Sequence, residues 1–390
     1  HIQHILDNVS LITRENLSGV RVIRAFNQQD NEQKRFESTT TKQKEEQIIA
    51  GNLSAVLNPA TTIIVNFGII AILYISGFKI NAGSMTQGEV ISLINYMNQI
   101  LLSMYVFANV IVILNKASAS YKRCADVLSQ KPDIVQGINE APSDYQNLIT
   151  YDHVSFSYYS GNALTDVSFN ILPGQTIGII GGTGSGKTTL INLIPRFYDV
   201  TEGEIRIKDL PIKSYKFKDL RNMIGIVPQQ ATLFGGTIRE NMQWGHPHAT
   251  DEEIYEALEL SQSKEFVDKM TEGLDTYIEQ GGKNVSGGQR QRLTIARALV
   301  KKPEILILDD SASALDFATD AKLRKALSTL NMTVIIVSQR VSALMHADSI
   351  VVLSHGEVVG QGTHDMLMNT CDVYQEIVMS QMEGGQNNEE

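Results

Sequence analysis

The sequence predicts two architectures in succession: an α-helical transmembrane part, then an α/β domain on a parallel sheet with a helical subdomain. No charged residue occurs from Gln47 to Phe78 or from Val90 to Asn115, and each run exceeds the roughly 20 residues that cross about 30 Å of hydrocarbon. Further on, Thr176 to Ile180, Ile224 to Val227, Glu304 to Leu308 and Thr333 to Val337 are continuous, β-branched apolar runs separated by helical stretches. That is the pattern of buried parallel strands. The first of them runs directly into the glycine-rich loop Gly181-Gly182-Thr183-Gly184-Ser185-Gly186-Lys187-Thr188.

Residues 1 to about 50 read as a polar helix with an apolar stripe, Val20, Ile23, Phe26 and Phe36 at helical spacing. The charge-free runs give spans over about 53–78 and 90–115, within a helical part covering 1–129. Two buried helices of a soluble core are the alternative, but such helices rarely run so long without charge. Asn66, Asn95, Asn98, Gln99 and Asn109 inside the spans suit helices that face other helices or an aqueous cavity. Lys34, Arg35, Lys42 and Lys44 precede the first span and Lys116, Lys122 and Arg123 follow the second, whereas the connection carries only Lys79. This asymmetry puts both ends of the hairpin in the cytoplasm.

Lys116 to Gln130 continues as helix, and Pro132, Gly137, Pro142 and Ser143-Asp144 mark 130–148 as a linker. The globular domain is expected over 149–382, followed by a disordered Gly/Gln/Asn/Glu tail over 383–390. The chain opens on His1 without a methionine, from which a preceding N-terminal region is expected.

The net charge of −10 supplies no basic patch, so nucleic acid is not an expected partner. Cys124 and Cys371 have no metal-ligand spacing and read as structural thiols. The histidines are scattered without paired carboxylates and read as local structural residues.

The glycine loop matches G-x-x-x-x-G-K-[ST], in which backbone N–H groups wrap phosphates, the lysine reaches the outer ones and the hydroxyl meets Mg²⁺. With a strand before it and a helix starting near Lys187, the phosphates sit at a helix N-terminus. Asp309 ends an apolar strand, where it can hold Mg²⁺ through water or merely cap the next helix. Ser286-Gly287-Gly288-Gln289 opens a helix over Gln291 to Leu299 and offers a further anion site of the same kind.

In this order and spacing, these motifs resemble the ATP-binding cassette of ABC transporters of the exporter type, and the resemblance covers essentially the whole chain. It implies that Gly181, Gly182, Thr183, Gly184, Ser185, Gly186, Lys187, Thr188 and Thr189 hold the phosphates of ATP, and that Thr188, Gln229 and Asp309 hold Mg²⁺. Tyr158, in Val154-Ser155-Phe156-Ser157-Tyr158, would stack on adenine, with Tyr159 leaving a one-residue ambiguity. Gln229, in Val227-Pro228-Gln229-Gln230, would also sense the γ-phosphate. The resemblance further implies that Ser286, Gly287, Gly288 and Gln289 close over the ATP of a second half-transporter subunit. Asp316, in Ser313-Ala314-Leu315-Asp316, would cross the same interface. Glu15 to Phe26 resembles the intracellular loop whose short coupling helix, about 15–30 here, docks on a cassette. The spans would be the last two of six.

Two positions depart from the family pattern. Asp310 stands where a catalytic glutamate follows the Mg²⁺ aspartate, and Gln339 stands where the family has a switch histidine. A carboxylate one methylene shorter falls short of the attacking water, and positioned base catalysis is worth about 10² to 10⁴ in rate. Glutamine can hydrogen-bond a phosphate but cannot carry the charge of imidazole. The pair implies the degenerate-site half of a heterodimer, a multi-pass protein of the cell membrane that exports drugs or lipid-like amphiphiles. The alternatives are a homodimeric exporter with an active Asp/Gln site, a soluble ABC ATPase, and a regulatory subunit that only gates.

Overall fold

The computed structural model describes residues 2–158, 161–311 and 314–386. The chain divides into two compact units, His1–Lys131 and Pro132–Glu390.

The first unit is helical: α1 (Ile2–Ser18), α2 (Val20–Ala25), α3 (Gln29–Asn81) and α4 (Gln87–Ser129). The polar helical stretch over the first fifty residues is divided among these first three helices. Gly19, a poor helix former, separates α1 from α2, and Asn27 adopts φ 55° before α3, a left-handed turn that asparagine tolerates. Arg35 on α3 reaches Glu15 on α1 at 3.2 Å and ties the pieces together. From Pro59 to Asn81 and along α4 the helices are long and apolar enough to cross a membrane. Ile64, Phe67, Leu102 and Phe107 all lie exposed there. A helix apolar on every side needs lipid or other helices around it. Thr86 and Glu89 form a capping box that starts α4, with the Thr86 N–H donating to Glu89 Oε2 at 2.7 Å.

In the second unit, β1 (Ile149–Tyr158), β2 (Gly161–Ile171), β4 (Glu202–Ile207) and β5 (Leu210–Pro211) form an antiparallel sheet in the order β2-β1-β4-β5. The larger sheet runs β12-β11-β3-β10-β9-β6, made of β3 (Thr176–Gly181), β6 (Ile224–Val227), β9 (Ile305–Asp309), β10 (Thr333–Val337), β11 (Ser349–Ser354) and β12 (Glu357–Gly362). A two-residue pair, β7 (Gly236–Thr237) with β8 (Tyr277–Ile278), lies outside both. All neighbours in the larger sheet are parallel except β11 and β12.

Side chains alternate across a strand, and both faces of this sheet are covered. Ile180, Leu306, Leu308, Val334 and Ile336 join one core cluster with helices α7 (Ile238–Gln243), α8 (Asp251–Leu260) and α10 (Gly287–Leu299). Ile177, Ile179, Ile305, Ile307 and Ile335 join the other, with the antiparallel sheet, α5 (Lys187–Leu193) and α6 (Phe217–Asn222). This double burial is why the strands read as unbroken apolar runs. Helices α9 (Lys264–Asp268), α11 (Phe317–Leu327), α12 (His364–Thr370) and α13 (Asp372–Gln386) complete the unit.

The segment read as a linker lies against this domain. The Gly137 N–H donates to Tyr215 O at 2.9 Å, the Asn139 N–H donates to Ser214 O at 2.9 Å, and Lys216 pairs with Glu140 at 2.8 Å. The expected disordered tail is corrected in part: 383–386 continue α13, and Asn387 to Glu390 lie outside the described residues.

Candidate nucleotide site

The site begins where β3 ends. The loop turns back through Gly186, whose φ of 99° and whose position against Ala163 exclude a side chain: an added Cβ would lie 2.7 Å from Ala163 O. That turn starts α5, whose first N–H groups have no partner within the helix, and the loop and the first helical turn line a cavity of about 280 Å³. Residues Thr183 to Thr189, Gln229, Asp309, Asp310 and Gln339 all line it. Elements far apart in sequence thus converge at the C-terminal edge of the parallel sheet, the position at which such sheets carry ligands.

Lys187 is buried and donates to Gly181 O at 2.9 Å and Gly182 O at 2.7 Å. Burial pushes its ammonium pKa down, while the neighbouring Asp309 and Asp310 carboxylates pull it back. Thr188 Oγ1 donates to Asp309 Oδ2 at 3.3 Å. Burial raises the Asp309 carboxyl above its usual range; the Thr188 hydrogen bond opposes this, Asp310 reinforces it and Lys187 opposes it. A hydroxyl and a carboxylate at this spacing, with the Gln229 amide in the same cavity, are hard oxygen donors that fit Mg²⁺, an ion that keeps much of its own water. Among the described residues no cluster of three or more His, Cys, Asp or Glu could hold a metal elsewhere.

Asp310 follows β9 with φ 45°, and its N–H donates to Val337 O at 2.9 Å. The left-handed backbone is one that aspartate accepts more readily than most side chains. Gln229 Nε2 donates to Asp310 Oδ2 at 3.4 Å. Tyr158 stands at the margin rather than in the lining: its hydroxyl is 3.5 Å from Thr189 Oγ1 and its ring packs edge-on against Phe156 and Tyr198. Tyr159 lies outside the described residues.

The structure does not bring Ser286, Gly287, Gly288, Gln289 or Asp316 to this cavity. The glycine pair is itself the first turn of α10, which starts at Gly287 rather than Gln291. Ser286 Oγ accepts from the Gln289 N–H at 3.2 Å while Gln289 Oε1 accepts from the Ser286 N–H at 3.0 Å. Asp316 caps α11, accepting from the Thr319 N–H at 2.9 Å, which holds its carboxyl below the usual range. A Cβ on Gly288 would lie 3.3 Å from Ala314 O, so the two segments are neighbours. Ser313 lies outside the described residues. Sequence reasoning missed Ala163, Val337 and Ser338 in the lining and Tyr198 beside Tyr158. Of these, only the aromatic pair Phe197-Tyr198 carried a visible signal.

Comparison with known proteins matches residues 164–313 to the ABC transporter family model and residues 3–104 to the ABC transporter transmembrane region. An uncharacterized ABC transporter ATP-binding protein of Bacillus subtilis, YfiB, is 40% identical over 383 residues, 97% of this chain and 66% of that protein. A putative multidrug export ATP-binding/permease protein of Staphylococcus aureus is 35% identical over 377 residues, 95% of this chain and 65% of that protein. The chain thus spans just under two thirds of these relatives. Among solved structures, a bacterial Atm1-family ABC exporter with ATP bound superposes with a TM-score of 0.84 at 26% identity, covering 97% of this chain and 69% of that one. With the membrane-region match preceding the cassette match on one polypeptide, the chain belongs to the ABC transporter family, its helical transmembrane region followed by its ATP-binding domain.

Proposed function

We propose that this chain is the degenerate-site subunit of a heterodimeric ABC exporter for drugs or lipid-like amphiphiles. It binds Mg²⁺ and ATP at the Lys187 cavity and hydrolyses that ATP slowly. Mg²⁺ would be held by Thr188, Asp309 and Gln229, and adenine would stack on Tyr158. The observation that supports this best is the sharing of one cavity by an intact phosphate loop and the residues Asp310 and Gln339. Binding needs the first; fast hydrolysis needs a carboxylate that reaches the attacking water and a switch residue that handles a proton, which an aspartate and a glutamine there do poorly.

Ser286 to Gln289 and Asp316 lie apart from that cavity, in keeping with a role at the ATP of a partner subunit. The multidrug-export relatives motivate the substrate class. The test is to measure MgATP binding and steady-state turnover on the full-length chain in membranes. Binding with turnover at or below about one hundredth of the rate of the partnered complex is expected, following the size of the base-catalysis term. Full turnover by the chain alone favours a homodimeric exporter in which Asp310, oriented by Gln229, is a working base.

A further inference from the structure

The segment carrying Gln339 leaves β10 and enters the turn Val341–Ala343. Within it the Ser338 N–H donates to Ile179 O at 3.2 Å and the Arg340 N–H donates to Ser338 Oγ at 3.0 Å. Neither contact engages the carbonyl of Gln339 or the N–H of Val341. Both of those groups are held by one side chain from the far end of the domain: Gln381 Nε2 donates to Gln339 O at 2.6 Å, and Gln381 Oε1 accepts from the Val341 N–H at 2.9 Å. A primary amide is the side chain that can donate and accept in this way, imitating a paired strand.

The clamp is itself anchored. Tyr374, Val378 and Gln381 follow helical spacing and share one face of α13. Tyr374 and Val378 are buried in the same core cluster as Val341, and the Tyr374 hydroxyl lies 2.8 Å from His364 Nδ1. Gln381 therefore projects from a fixed helix, so ordering it costs little side-chain entropy.

We propose that Gln381 is a positioning residue: through the backbone of Gln339 and Val341 it holds the Gln339 side chain toward the phosphate end of the cavity. The inference rests on the reading above that Gln339 meets the γ-phosphate, and it adds that C-terminal helix α13 sets how well the site distinguishes ATP from ADP.

The experiment uses the full-length chain in membranes or nanodiscs and measures MgATP and MgADP affinities by displacement of a fluorescent nucleotide. Gln381→Leu is expected to lower the ratio of MgATP to MgADP affinity about threefold to tenfold, the factor one or two hydrogen bonds are worth, with MgADP affinity unchanged. Gln381→Glu keeps the acceptor for Val341 but sets an acceptor against Gln339 O, and should lower the ratio similarly. In a Gln339→Ala background, Gln381→Leu should have no further effect on the ratio. A merely structural role predicts equal losses for both nucleotides, or an undiminished effect in that background; either result overturns the proposal. If Gln339→Ala lowers the ratio and Gln381→Leu does not, the positioning role alone fails. If Gln339→Ala leaves the ratio unchanged, the γ-phosphate reading of Gln339 fails with it.

Discussion

Gln229 Nε2 and Asp310 Oδ2 lie 3.4 Å apart, linking the segment after β6 to the residue after β9 across the floor of one cavity. The contact holds the Asp310 carboxylate inside the site while its side chain remains one methylene shorter than a glutamate. On the proposed reading, binding and turnover should separate in this chain, because that reading gives phosphate holding and water activation to different residues.

Lys187→Ala tests the binding half. A buried ammonium whose hydrogen bonds go to loop carbonyls is a strong, charge-assisted donor, worth about 1.5–3 kcal/mol when its partner is charged. MgATP affinity should fall by about tenfold or more, as read by equilibrium binding. An unchanged affinity would remove this lysine from phosphate recognition.

The pH dependence of Mg²⁺ use follows from Asp309. Burial raises its carboxyl pKa, so on acidification it takes up a proton at a higher pH than an exposed aspartate does. If Asp309 holds Mg²⁺ as proposed, its ionised form does so, and the Mg²⁺-dependent part of ATP affinity should be present at neutral pH. It should be lost as pH falls through that raised value. Titrating ATP affinity with and without Mg²⁺ checks this, and Asp309→Asn should abolish the difference at every pH.

Ser286→Ala removes the capping-box hydroxyl of α10, which costs about 0.5–2 kcal/mol of local stability. If the motif also completes a partner's site, the partnered complex should lose ATPase activity well beyond what the small fall in melting temperature accounts for. MgATP binding by this chain's own cavity should stay within about twofold, a margin smaller than one hydrogen bond is worth.

Gly137 is pressed against Ser214: an added Cβ would lie 2.1 Å from the Ser214 carbonyl carbon. Gly137→Ala should therefore prise the segment before β1 from the domain, at about 1–3 kcal/mol, the usual cost of overpacking. Thermal unfolding of the full-length chain, with protease sensitivity around Pro132 to Gln146, measures it.

The parts of this fold that could be read from sequence are those in which one residue type serves one environment. β3, β6, β9 and β10 are buried on both faces, so their side chains are uniformly apolar and the runs stand out. The antiparallel sheet escaped because β1 and β2 are half-exposed and their register slips between Tyr151 and Val154 and again near Phe156, which breaks the alternation. The phosphate loop was legible because its function lies in backbone geometry that demands glycine at set spacing. Gln381 was not: its contact with Gln339 spans 42 residues and involves only the backbone of its partner, so nothing in either local sequence announces it. The left-handed backbone of Asp310 was equally silent, since aspartate is common at strand ends for other reasons.

The most direct test of the central claim is the ATPase rate of the full-length chain, alone in membranes, before and after Asp310→Glu with Gln339→His. If the cavity is complete except for its base and switch residue, the double substitution should raise turnover by about a hundredfold or more, the lower end of what positioned base catalysis supplies, with MgATP affinity little changed. A wild-type chain already turning over at the rate of the partnered complex, and unimproved by the substitution, would contradict the degenerate-site account.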